Sequence, residues 1–178
     1  TPYIDKLSKS GIRFSNAYSA ASICSPTRAA IMTGKYPARL NLTDFIPGNL
    51  SRNKPLLTPE NWQKFLPLDE ITIGEKMEAS GYYTGFFGKW HLSKEKLPPE
   101  SLPHNPSKQG FKETFVTYKP SSKLIQKWQI EKKDFHNVDT ITKRGLEFIE
   151  QNKKGPFLLI LSHNTIHDPL LEDHELIR

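Results

Sequence analysis

Pro156-Phe157-Leu158-Leu159-Ile160-Leu161 is an unbroken apolar run, and it gives way at once to Ser162-His163-Asn164-Thr165-Ile166-His167-Asp168-Pro169-Leu170. A run without polar alternation reads as a parallel strand covered on both faces, the kind found where helices flank a sheet. In such sheets, ligand-binding and catalytic groups gather at the carboxyl ends of the strands, which is where these polar residues fall. His163 and His167 have the i, i+4 spacing of a helical metal pair. Pro169 argues against a regular helix there, and no third ligand is adjacent.

Working upstream, Val138 to Gln151 reads as an amphipathic helix with Ile141, Leu146 and Ile149 as its apolar positions, closed by Lys153-Lys154-Gly155. Ile71 to Ser80 reads as a second helix, with Ile73 and Met77 on one face and Gly81 as its stop, and Tyr82 to Phe87 reads as a strand. Gly88 ends that strand. Lys89 and His91, two residues apart in extended chain, then point the same way. Thr1 to Gly11 reads as a capped helix and Ile12 to Ala20 as a strand. Residues 93 to 135, rich in Lys, Pro and Ser with little periodicity, read as an irregular surface excursion suited to recognising whatever carries the reacting group. Strand-like runs alternating with helical ones predict an α/β fold, a mostly parallel sheet flanked by helices.

The chain's only cysteine stands in Cys24-Ser25-Pro26-Thr27-Arg28, followed by Ala29-Ala30-Ile31-Met32-Thr33-Gly34. Ser25 suits an N-cap, Pro26 suits the first helical position, and the residues after it propagate a helix. Cys24 therefore falls where free backbone N–H groups and the positive end of a helix favour anions. If the first turn starts early enough, Arg28 returns its guanidinium to the face of Cys24 and can fork onto an oxyanion. A lone cysteine is more often a small buried hydrophobe, and an isolated Lys-x-His is more often surface lysine and backbone-bonded histidine. Here their neighbours argue for chemistry.

The run from Cys24 to Gly34 resembles the signature Cys-x-Pro-Ser/Thr-Arg of the family I sulfatases, members of the alkaline-phosphatase superfamily. Gly81-Tyr82-Tyr83-Thr84-Gly85-Phe86-Phe87-Gly88-Lys89-Trp90-His91 resembles the second signature of that family, and His167-Asp168-Pro169-Leu170 resembles its strand-end histidine. The resemblance implies that residues 1–178 are part of a sulfatase catalytic domain, an incomplete sulfatase core. It implies hydrolysis of aryl or carbohydrate sulfates by a formylglycine made from Cys24. A calcium ion would bind residue 24 and ligands outside this chain, since the family's Asp-Asp and Asp-Asn pairs are not found here. Arg28, Lys89 and His91 would act on residue 24 and the sulfate, and His167 would contact sulfate or protonate the leaving group. His163 reads as structural on other grounds, since a neutral histidine commonly satisfies local backbone groups. By itself the segment is expected to be inactive. The family sets the expected location as periplasmic, secreted or lysosomal.

Composition bounds the alternatives. At 178 residues, one domain with a real core is expected. No apolar run reaches membrane-spanning length, no signal peptide is evident, and one cysteine excludes an internal disulfide framework. The net charge of +6 comes from scattered basic residues, which read as a solvated surface and not as a nucleic-acid groove. The expected partner is a sulfated small molecule or glycan, with neither nucleic acid nor membrane. Two other functions stay open: a phosphate or phosphonate ester hydrolase with the same nucleophile, and a non-catalytic module for sulfated polyanions.

Overall fold

The computed structural model describes residues 1–48, 61–93, 103–118, 134 and 136–168. In chain order these form α1 (Pro2–Ser10), α2 (Cys24–Thr33), α3 (Ile73–Ala79), β1 (Tyr83–Gly88), a 3-10 turn (Pro106–Lys108), β2 (Glu113–Val116), α4 (Val138–Asn152) and β3 (Phe157–Ser162). The three strands make a parallel sheet in the order β2-β1-β3. Gly88, Val116 and Ser162 stand together at its carboxyl edge, because Gly88 is in register with both of the others.

Each strand sends alternate residues to opposite faces. Phe86, Leu158 and Ile160 therefore join Ala29, Met32, Leu42, Trp90 and Phe111 on the side of α2, whereas Phe87, Phe115, Phe157 and Leu159 meet Ile141 and Phe148 of α4. Burying both faces explains why β1 is covered almost throughout. Close approach of α4 needs a missing side chain on the sheet, since a Cβ at Gly85 would lie 2.6 Å from the Phe148 ring. α3 is held by a capping box in which the Thr72 hydroxyl accepts from the Glu75 N–H and the Glu75 carboxylate accepts from the Thr72 N–H.

Several sequence expectations are revised. Residues 12 to 20 form no strand, and Ile12, Phe14 and Tyr18 are exposed; apolar alternation makes a strand only where a neighbour supplies the ladder. The excursion expected over 93–135 is not irregular throughout, because β2 lies inside it and Phe111 and Val116 enter the core. A four-residue strand is too short to show periodicity. The buried stripe of α4 is Ile141, Gly145 and Phe148, and Leu146 faces solvent. In α3 the covered residue is Gly74 and not Ile73, because that helix meets the backbone at Gln109 and the Phe111 ring edge-on. β3 is half-buried instead of fully covered, with no strand on its outer edge among the described residues. The remainder of 93–135, and Pro169-Leu170 of the third motif, lie outside the described residues.

Candidate active site

α2 begins earlier than Ser25 as an N-cap would place it. Ile23 is the N-cap and Cys24 the first helical residue. The cause is tertiary: the buried Ser25 hydroxyl donates to the His91 carbonyl (2.9 Å) and accepts from the Ile46 N–H (3.1 Å), so it is not available to cap. The earlier start puts Cys24 and Arg28 one turn apart on the same face. Cys24 is a free, half-buried thiol in the first turn, and Gly34 ends the helix in the left-handed region with its N–H on Ala30.

Arg28 crosses from α2 to the sheet. Its Nη1 donates to the Lys89 carbonyl and to the Ser162 hydroxyl, both at 2.6 Å, while its Nε is buried with no acceptor. Burial lowers the guanidinium pKa below its usual value and the Cys24 sulfur opposes that, but an arginine stays charged. One buried N–H of Arg28, on a side chain one helical turn from residue 24, is thus able to donate to an oxygen.

Lys89 and His91 follow β1, but not as extended chain. His91 has φ +57°, so the backbone turns there and the pair meets the site through tertiary packing and not through strand alternation. The His91 Nε2 lies 2.6 Å from the Ile46 carbonyl oxygen. A carbonyl only accepts, so Nε2 carries the proton and Nδ1 keeps a lone pair; that Nδ1 is buried without a partner. The His91 pKa is pushed down to about 4, first by burial and then by the charge of Lys89, with smaller effects of Arg28 and His167 in the same direction and the Ile46 bond opposing. His91 is thus a neutral imidazole at physiological pH, with the Nδ1 lone pair able to accept a hydrogen bond.

His167 lies past the end of β3, half-buried, with Nδ1 on the Asp168 carbonyl oxygen at 2.7 Å. Residues 163–168 are not helical. His163 has a buried Nδ1 without a partner. Lys89, Arg28 and His167 all act electrostatically on His91, and Cys24 acts on Arg28, so the five predicted residues share one neighbourhood at the carboxyl edge of the sheet. A cleft of about 580 Å³ runs past Cys24, Arg28 and Ser162 between walls that include Phe86, Trp90 and Ile160; Lys89, His91 and His167 stand outside it.

Sequence reasoning missed the parts that hold these groups. Ser25 and Ser162 are donors and acceptors inside the site, and Ile46 presents its backbone N–H to one and its carbonyl to His91. Ser162 had a signal, as the first polar residue after an apolar strand. Ile46 had none.

Calcium is not accommodated by these residues. Cys24 has the Arg28 cation beside it, and no group of three or more His, Cys, Asp or Glu among the described residues could hold a metal. Ca²⁺ takes six to eight oxygens, so the described residues do not form that site.

The sulfatase family model matches residues 1–176. The chain belongs to the sulfatase family. It is 28% identical over 200 residues to an arylsulfatase of Hemicentrotus pulcherrimus, covering 97% of this chain and 34% of that protein. It is 40% identical over 111 residues to human arylsulfatase A, covering 62% of this chain and 19% of that protein. This sulfatase chain thus spans about a third of the first of those relatives and about a fifth of the second. The crystal structure of Ps i-CgsB superposes with a TM-score of 0.69 at 31% identity, over 98% of this chain and 42% of that one. A structure in complex with its substrate D-glucosamine-2-N,6-O-disulfate superposes at 0.63 and 25% identity, over 96% of this chain and 30% of that one. The parallel sheet with flanking helices is accordingly part of the alkaline-phosphatase-like sulfatase fold. The family generally uses calcium and formylglycine.

Proposed function

We propose that the protein containing this segment hydrolyses sulfate esters at residue 24, with Cys24 converted to formylglycine. The observation that carries the reading is a pair of buried, unpartnered nitrogens beside residue 24's neighbourhood, Nε of Arg28 as donor and Nδ1 of His91 as acceptor. A thiol side chain satisfies neither well, whereas oxygens on residue 24 and on a bound sulfate suit both. Hydrated formylglycine supplies one hydroxyl to attack sulfur and a second whose deprotonation expels sulfate and regenerates the aldehyde.

The chain's own side chains do the rest. Arg28 donates to an oxyanion through Nε while Nη1 stays anchored on the sheet edge. Lys89 adds positive charge where the transferring sulfuryl group is most negative. His91 takes the hydroxyl proton at Nδ1, and its bond to the Ile46 carbonyl holds the required tautomer. His167, with Nδ1 on its own chain, uses Nε2 on the sulfate or the leaving oxygen. Calcium remains part of the proposal for the longer protein, with ligands other than those described here, and no step is derived through it.

The substrate is an aryl or carbohydrate sulfate. Carbohydrate support comes from related structures, among them Ps i-CgsB in complex with k-i-k-neocarrahexaose, which superposes at a TM-score of 0.68 and 30% identity, over 98% of this chain and 42% of that one. Aryl support comes from the names of the arylsulfatase relatives. The test is turnover of nitrophenyl sulfate and nitrophenyl phosphate by the full-length protein, with intact mass reporting the state of residue 24. The expected result is preference for the sulfate, aldehyde at residue 24, and loss of turnover in Cys24→Ala. Full activity with only thiol at residue 24 would overturn it, and preference for the phosphate would move the assignment to the phosphate and phosphonate esterases.

A further inference from the structure

Ser162 closes β3, opposite Gly88 in the ladder. The two strand ends are pressed together: Gly88 has φ +115°, and a Cβ there would stand 2.0 Å from the Ser162 carbonyl oxygen. That carbonyl accepts from the Lys89 N–H at 2.7 Å. The Ser162 hydroxyl donates to the Lys89 carbonyl at 2.9 Å and accepts from Arg28 Nη1 at 2.6 Å. Arg28 Nη1 also reaches the Lys89 carbonyl. The three groups close a triangle in which only the serine hydroxyl is both donor and acceptor.

We propose that Ser162 is a positioning residue of the site, locking the Arg28 guanidinium across the β1–β3 junction so that its unpartnered Nε is held in the neighbourhood of residue 24. The physical reason is rotational. A guanidinium held at Nη1 by one carbonyl can swing about that bond, whereas two acceptors, one just past the end of β1 and one at the end of β3, fix both its position and its plane. The same hydroxyl donates to the Lys89 carbonyl that Arg28 Nη1 also holds, which closes the triangle that sets the guanidinium. Misplacing a catalytic group by about 1 Å costs up to about a hundredfold in rate, and Ser162 is the part that holds this placement.

The kinetic arm rests on the sulfatase reading above; the structural arm does not. In the full-length protein, Ser162→Ala is expected to lower kcat/KM for nitrophenyl sulfate by about tenfold to a hundredfold, and Ser162→Thr, which keeps the hydroxyl, to restore most of it. Because Ser162 acts through Arg28, adding Ser162→Ala to an Arg28→Lys background should change the rate by less than about twofold. In the crystal structure of Ser162→Ala the guanidinium should be displaced or divided between two positions, with β1 and β3 unchanged. Ser162→Cys takes the place of the alanine variant should that one fail to fold, since a thiol is a weak acceptor of similar size. Independent, multiplying effects of the Ser162 and Arg28 substitutions, or an unmoved guanidinium in Ser162→Ala, would overturn the proposal. A wild-type protein without sulfatase activity would sink the function and leave the crystallographic arm to decide the positioning role.

Discussion

Two histidines follow two neighbouring parallel strands, and the molecule treats them differently. His91, three residues past the end of β1, is tied through Nε2 to Ile46 and through its own carbonyl to Ser25, with its Nδ1 buried and unpartnered. His167, five residues past the end of β3, has its Nδ1 on the carbonyl of the next residue and stands more in the open. A histidine held neutral with its tautomer fixed suits accepting a hydrogen bond at Nδ1, and one at a looser, wetter rim suits contact with whatever substrate brings. The contrast teaches that equivalent places at a sheet edge become distinct functions through the second layer of contacts.

The comparison breaks most easily at residue 24, the proposed nucleophile. Cys24→Ala in the full-length protein should abolish turnover, a loss of at least about a thousandfold, with its melting temperature little changed; retained activity would remove the reason for assigning either histidine a role. Next in size is His91→Asn, expected to lower kcat by about a hundredfold or more on good and poor leaving groups alike. His167→Asn should discriminate. If His167 protonates the leaving oxygen, its loss should slow a sugar or alkyl sulfate much more than nitrophenyl sulfate, whose phenolate leaves without help. Equal losses on both substrates would assign His167 to the sulfate instead.

The pH dependence of stability sharpens the same contrast. The folded His91 pKa of about 4 lies below the ordinary histidine value of 6.5. The unfolded chain therefore binds more protons between these values, so stability falls as pH drops from about 6.5 toward 4, by up to about 3 kcal/mol. His91→Asn should flatten that limb in chemical denaturation measured across the range, and His167→Asn should leave it in place. An unaltered slope in His91→Asn would show that another group is responsible. The smallest effect is expected of Asp168→Ala. His167 bonds the backbone of residue 168 and not its carboxylate, so stability should change by less than about 0.5 kcal/mol and the His167 kinetics should persist.

Much of the site could be read from residues near one another in the chain, and its supports could not. Cys24 and Arg28 are one helical turn apart, and Lys89 and His91 share a strand end, so local spacing and signature were enough to nominate them. Ser25 reads locally as a cap, yet its hydroxyl is claimed by residues 21 and 66 positions away. The apolar face of α4 was misjudged for a related reason: Gly145 carries no hydrophobic signal, but a Cβ there would press on Leu161 at 2.9 Å, so the glycine sits in the stripe where Leu146 was expected. β2 escaped notice because four residues against a neighbour need no pattern of their own.

By itself the sequence determined the local elements and the chemical cast: an apolar strand ending in polar residues, a helix opening at the lone cysteine, and cationic and imidazole side chains at fixed short spacings. These follow from period, capping and residue type, which act within a turn or a strand. Only the tertiary structure decided which hydroxyls hold the cast in place, that His91 keeps its proton on Nε2, and that Arg28 is anchored just past the end of β1 and at the end of β3 at once. Those outcomes depend on groups up to 134 residues apart meeting at hydrogen-bond distance in low-dielectric surroundings, a condition that packing of the whole sheet sets and local propensity does not.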